Sequence, residues 1–129
     1  NYLAGCAPDH DQRVANDDFS HDDSIWENKV WPTIAHRIPQ FESIRLINSW
    51  VGHYAYNLLD QNAIVGYHPK VKNFVFANGF SGHGFQQSPA IGRGISELII
   101  HSKYKTLDLS PLSFDRIINE KPFIENAII

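Results

Sequence analysis

With 129 residues, 43% of them hydrophobic and 19% charged, the chain is long enough to bury a core of its own. A formal net charge of −3 argues against a nucleic-acid-binding surface, and no run approaches the ~18 apolar residues that mark a membrane span. Its one cysteine, Cys6, has no partner for an internal disulfide, so a reducing compartment is allowed. The chain holds no methionine and begins at Asn1 in a polar stretch without a signal peptide. It is therefore expected to be a fragment or a processed product.

Residues 1–21 carry Gly5, Pro8 and the acids Asp9, Asp11, Asp17 and Asp18. They read as a mobile acidic loop. His10 and His21 lie among these aspartates without a metal-ligand spacing, so a solvated loop is expected rather than a metal site. Asp22, Asp23 and Ser24 can cap a helix whose apolar side is Ile25, Trp26, Val30, Ile34 and Ile38. Pro32 should kink that helix and Pro39 should end it. His36 and Arg37 suit the negative end of its dipole.

Residues 42–56 read as one long strand, because Ile44, Leu46, Asn48 and Trp50 alternate with Arg45, Ile47 and Ser49. Gly52 interrupts it and marks a bulge or the close approach of something flat. Tyr54 and Tyr56 flank Ala55 and so share a face. Residues 58–62 form a turn, 63–65 a short strand ending at Gly66, and 67–70 a second turn. Residues 74–77 form a short aromatic, β-branched run expected to be a buried strand.

The stretch that organises the chain follows at once. Gly79, Gly82 and Gly84 fall within six residues, around Phe80, Ser81 and His83. From Gln86 onward Ile91, Ile95, Leu98 and Ile99 recur at helical spacing to about His101. A strand, a glycine-rich turn and a helix bring backbone N–H groups and a helix start up to a ligand. A plain strand-to-helix turn is the simpler alternative. A dinucleotide fingerprint matches only in part: the third glycine is missing, and Asp108 would have to serve as the ribose-binding acid. His83 reads either as a ligand contact or as a ring that fixes the loop. Arg93 and Glu97 are spaced for an exposed ion pair. Residues 107–112 read as extended up to Ser110-Pro111, and residues 113–118 as a short helix capped by Ser113. No nucleophile triad, Walker loop or cysteine pair is present.

Four runs, in this order, are similar to the C-terminal flavin-contacting part of the D-amino-acid oxidase and sarcosine oxidase superfamily. They are SWVGHYAYNLLDQNAIVGYHPKVKN, GFSGHGFQQSPAIGR, DLSPL and ENAII. The likeness covers residues 26–129 and, more weakly, 1–5. It implies a mixed α/β fold, the C-terminal part of a D-amino-acid-oxidase-type oxidoreductase, with antiparallel strands beside the strand–turn–helix unit. Residues 22–72 would belong to the substrate domain, 73–112 to the FAD-binding domain, and 113–129 would be a tail. The cofactor implied is FAD. Gly79, Phe80, Ser81, Gly82, His83, Gly84, Phe85 and Gln86 would bind it, with Gly52, His53 and Tyr54 on the substrate side and no metal. Some relatives carry a lysine where this chain has Gln86, and a cysteine bonded to the flavin where it has His53. The remainder of the same polypeptide would supply the Rossmann glycine motif, and the fragment alone should not hold FAD tightly. The branch it resembles is mitochondrial and associated with assembly of respiratory complex I, so that machinery is an expected partner, with no nucleic acid and no transmembrane segment. Two classes of function follow: an oxidoreductase acting at a C–N or similar bond of a small molecule, or a scaffold that keeps the flavin fold for assembly. A small nucleotide-binding domain is a third.

Overall fold

The computed structural model describes residues 1–9 and 12–125. His10 and the last four residues of the ENAII run lie outside the described residues. Two compact units divide the chain, Asn1–His53 and Tyr54–Ile129.

In the first unit, residues 1–9 and 12–22 hold no regular element beyond a turn at Asn16 and Asp17. Asp22 Oδ1 accepts the Ser24 N–H at 2.9 Å just ahead of the helix, whose N-cap is Ile25 without a side-chain cap bond rather than the expected Asp22, Asp23 or Ser24. That helix is divided. Trp26–Val30 winds as a π-helical turn that closes with the Trp31 N–H on the Trp26 carbonyl, and α1 runs over Trp31–Arg37. Pro32 sits in the first turn of α1 and has no N–H to give back along the helix, so the break falls where the sequence sets it. Ile38 is extended, as a residue before proline should be, and Pro39–Ser43 forms a 3-10 turn. Trp31 Nε1 donates to the Phe41 carbonyl at 3.2 Å and folds that turn back onto α1. Lys29 Nζ donates to Asp9 Oδ1 at 2.6 Å and to the Ala7 carbonyl at 3.1 Å, tying down the N-terminal loop.

The expected strand over residues 42–56 is not formed. Glu42 and Ser43 belong to the 3-10 turn, and residues 44–56 carry no ladder among the described residues. Ile47 and Trp50 stand 76% and 66% exposed. Alternation prescribes an extended backbone, but a strand exists only where a second strand takes up its N–H and C=O groups.

The second unit is built on an antiparallel pair, β1 (Ile64–Tyr67) and β2 (Val75–Asn78). Their register sets Ile64 opposite Asn78, Val65 opposite Ala77, Gly66 opposite Phe76 and Tyr67 opposite Val75. The second strand lies one residue later than expected, and it is half-exposed rather than buried. Pairing with β1 alone leaves the other edge of β2 without a strand partner among the described residues. In the connecting turn, His68 Nδ1 accepts the N–H groups of Lys70 and Val71 at 3.0 and 2.9 Å. The His68 ring stacks at 5.6 Å on both Phe76 and Phe114.

Helix α2 spans Gly84–His101, two residues earlier than its apolar spacing suggested, and packs on β1. Ala63, Val65, Ile91 and Leu109 form the core, with Phe80, Ile95, Tyr104 and Leu112 packed around it. Ser102 ends the helix in the left-handed region at φ +56°. Residues 110–112 are a 3-10 turn rather than extended, because Asp108 Oδ1 accepts the Ser110 N–H at 2.9 Å and Pro111 suits the first turn. Helix α3 is Asp115–Ile118, and Phe114, not Ser113, is its N-cap. Ser113 contributes its carbonyl instead, which accepts from the Arg116 backbone N–H at 3.3 Å and from Arg116 Nη1 at 3.2 Å. Helices with an antiparallel pair make the mixed α/β class that the sequence suggested.

Candidate functional site

The turn between β2 and α2 has an unusual backbone. Gly79, Ser81 and Gly82 stand at φ +69°, +48° and +90°. At Gly82 no L side chain is comfortable, which is the reason for a glycine there. Gly84 serves a different purpose. It is the first residue of α2, and Phe80 packs against it so closely that a Cβ there would already be in van der Waals contact, 3.4 Å from Phe80 Cβ and Cγ. His83 is the N-cap residue, its N–H bonded to the Phe80 carbonyl at 2.9 Å and its carbonyl accepting the Gln87 N–H at 3.1 Å. That Gln87 bond is the first turn of the helix, so the N–H groups of Gly84, Phe85 and Gln86 have no helical acceptor. With the dipole of an 18-residue helix behind them they form a positive edge. Phe85, 94% exposed, stands beside that edge, with Gln86 exposed next to it.

Ser81 is fully buried, and its hydroxyl turns into the protein. It accepts the Asn57 N–H at 2.9 Å, while the Ser81 N–H donates to the Ala55 carbonyl at 3.0 Å. Asn57 reaches on: its Nδ2 donates to Asp60 Oδ1 at 3.0 Å and to the Asn62 carbonyl at 2.7 Å. Asp60, 0% exposed, holds a bidentate pair with Arg116, 6% exposed, through Nε at 2.5 Å and Nη2 at 3.0 Å. Arg116 also donates to the carbonyls of Leu112, Ser113, Asn62 and Ala63. Burial pushes the Asp60 carboxyl up. Hydrogen bonds from Arg116 and from the Phe123 and Asn62 N–H groups, with the arginine's charge, outweigh this and hold it below the usual carboxylate range. Sequence reasoning missed the pair, since 56 residues separate its members and no local pattern links them. The faint signal was an arginine directly before the short apolar pair Ile117–Ile118.

The other sequence candidates are placed as follows. Tyr54 and Tyr56 share a side, with ring centroids 6.2 Å apart. Gly52 and His53 close the first unit. A Cβ on Gly52 would meet nothing within 4 Å, and His53 stacks on Phe19 at 4.5 Å with Nε2 2.6 Å from the Asp18 carbonyl. His21 lies near both Ser49 Oγ at 2.9 Å and Asp23 Oδ1 at 3.1 Å, but through the same nitrogen, Nε2. A hydrolytic triad needs the acid on the opposite nitrogen, so this cluster is not one. Asp108, the acid of the partial dinucleotide pattern, is engaged as the cap of Ser110. Arg93 and Glu97 pair at 3.4 Å, yet the carboxylate's stronger partners are Thr106 Oγ1 at 2.6 Å and the Lys105 and Thr106 N–H groups. An open depression lined by Tyr104, Lys105, Thr106, Leu107 and Asp108 lies apart from the glycine turn in sequence and shares no residue with it. Among the described residues no group of three or more His, Cys, Asp or Glu could hold a metal ion. Among them too, no helix is long and apolar enough to cross a membrane.

Comparison with known proteins adds the family. The family model described as "DAO: FAD dependent oxidoreductase" matches residues 3–98. FAD-dependent oxidoreductase domain-containing protein 1 of Xenopus laevis is 47% identical over the whole of this chain and 26% of its own length. The Drosophila melanogaster homolog of that protein is 45% identical over 81% of this chain and 20% of its own. Monomeric sarcosine oxidase of Bacillus sp. (strain B-0618) is 41% identical over 45% of this chain and 15% of its own. No solved structure matches. The chain thus spans about a quarter (26%) of the length of the first of these relatives. With the family model covering most of its residues, the chain belongs to the DAO family of FAD-dependent oxidoreductases.

Proposed function

We propose that this chain forms the edge of an FAD site in an oxidoreductase whose remaining cofactor contacts come from the rest of its own polypeptide. The observation that carries the reading is the left-handed turn at Gly79, Ser81 and Gly82 running straight into the free N–H groups of α2. FAD is the cofactor of the family. The residues present fit such a group. Gly82 offers bare backbone for close approach, the N–H groups of Gly84, Phe85 and Gln86 face no helical acceptor, and Phe85 offers an exposed apolar ring. When bound, FAD supplies the acceptor for a hydride equivalent taken from a C–N or similar bond of a small-molecule substrate.

The chain's own contribution is electrostatic. Fixed N–H donors at a helix start stabilise negative charge that develops beside them, without reorganising as it forms. Gln86 adds a neutral amide where some relatives have a lysine, which favours a substrate other than a simple amino acid. Gly52, His53 and Tyr54 are assigned to the substrate side. Residues 22–72 are assigned to a substrate domain and 73–112 to the FAD-binding domain. The likeness carried by the glycine-turn motifs extends the proposal to a mitochondrial protein linked to assembly of respiratory complex I. Subcellular fractionation, and complex I content in cells lacking the protein, test that part.

The site itself is tested in the full-length protein by its visible flavin spectrum, before and after acid precipitation, which reports flavin content and covalency together. Gly82→Val should lose most of the flavin, while Arg93→Ala, on the side of α2, should keep it. Full flavin content in Gly82→Val overturns the assignment.

A further inference from the structure

We infer that Asn57 is a positioning residue for the glycine turn, joining it to the buried Asp60–Arg116 pair. The inference rests on the reading of residues 79–86 as the FAD edge. Ser81 is not a glycine, yet it stands at φ +48° and is fully buried. A non-glycine residue keeps that backbone only where its surroundings over-determine it. Here they do so through the Ala55 carbonyl, which takes the Ser81 N–H at 3.0 Å, and through Asn57, which takes its side chain. The Asn57 N–H donates to Ser81 Oγ at 2.9 Å, and a Cβ on Gly79 would lie 3.5 Å from Asn57 Cβ, so Asn57 packs along both ends of the turn.

The other side of Asn57 is anchored. Its amide donates to Asp60 and to the Asn62 carbonyl, and its Oδ1 accepts the Leu59 N–H at 3.1 Å. Asp60 is held in turn by Arg116 and by the N–H groups of Asn62 and Phe123. A continuous line of hydrogen bonds therefore runs from α3 through Asp60 and Asn57 to Ser81, the residue before Gly82. Asn57 touches the cofactor edge only through the turn, so it acts through Ser81. Removing its side-chain amide leaves Asp60 with three other donor groups, so the ion pair stays satisfied, while the backbone N–H that Ser81 Oγ accepts loses the side-chain bonds that fix its place.

The test uses full-length FAD-loaded protein carrying Asn57→Ala, Ser81→Ala or both, with Gly82→Val alongside. Asn57→Ser is a second variant, because a serine hydroxyl can still accept the Leu59 N–H but is too short for Asp60. Expected are an FAD dissociation constant raised roughly 3- to 30-fold in Asn57→Ala and a double variant no weaker than the worse single one. The visible band and midpoint potential of the bound flavin should shift, and amide exchange at residues 80–84 of the cofactor-free protein should accelerate. A merely structural Asn57 would lower the melting temperature and leave band, potential and local exchange unchanged. That result, in either Asn57 variant and with flavin lost in Gly82→Val, overturns the inference alone. Full flavin retention in Gly82→Val overturns the site reading and the inference with it.

Discussion

Two glycines one turn-half apart on α2 should respond oppositely to the same methyl group. A Cβ on Gly92 would meet nothing within 4 Å. Gly92→Ala therefore gains only the helix propensity that glycine lacks, about 0.8–1 kcal/mol. A Cβ on Gly94 would clash with Leu109 Cδ1 and lie 3.1 Å from Leu109 Cγ and 3.6 Å from Tyr104 Cε1. Leu109 is one of the buried core residues and has little room to retreat. Overpacking of a filled core costs about 1–3 kcal/mol, so Gly94→Ala should come out between neutral and about 2 kcal/mol destabilising after the same propensity gain. The two variants should differ by about 1–3 kcal/mol, which is the overpacking cost itself. Urea and thermal denaturation of the chain read this directly. For a chain of 129 residues 1 kcal/mol moves Tm by about 4 °C, so the gap is resolved. Leu109→Val in the Gly94→Ala background should restore part of the loss. If Gly94→Ala proves as stable as Gly92→Ala, Leu109 does not seat against the helix as described and the core assignment is wrong.

The Glu97 carboxyl is drawn down from its ordinary 4.5 to about 2, first by the Thr106 hydroxyl, then by the Lys105 and Thr106 N–H groups. A depressed carboxylate stabilises the fold above its unfolded pKa, so this contribution is intact above pH 4.5 and fades as pH falls toward 2. Urea midpoints over that window should fall less steeply for Glu97→Gln than for the native chain. Arg116→Leu leaves Asp60 buried without its cation and should cost about 3–5 kcal/mol at neutral pH by urea denaturation. The penalty should shrink in acid as Asp60 takes up a proton, and a loss that does not change with pH would show that the charge is not its cause. Gln86→Leu keeps the volume and removes the amide, so stopped-flow measurement should show slower substrate-driven bleaching of the flavin band. Unchanged flavin content and unchanged rate would mean that Gln86 touches neither cofactor nor substrate. Finally, equilibrium dialysis of the 129-residue chain alone should give no micromolar FAD binding, since the family's site draws on a polypeptide about four times as long.

Where a property depends on neighbours along the chain, it was legible in the residues. The spacing of Ile91, Ile95 and Leu98 implied α2, and Pro32 and Pro39 marked the break and the end of the first helix. Gly79 and Gly82 located the turn for the same reason, because a left-handed backbone is a local requirement. The residues also carried the resemblance that the family match bears out. Where a property depends on what the fold brings alongside, the residues were silent or misleading. Residues 44–56 have the alternation of a strand and no strand to pair with. Ser113 looked like a cap, but Phe114 holds that position, and Asp60 met Arg116 across 56 residues without any motif. Gly92 and Gly94 are the same residue in the same helix, and only the arrival of Leu109 over one of them makes their substitutions different. Backbone torsions are set by a residue and its immediate neighbours, whereas burial and pairing are set by groups far away in sequence, and these appear only once the chain has closed on itself.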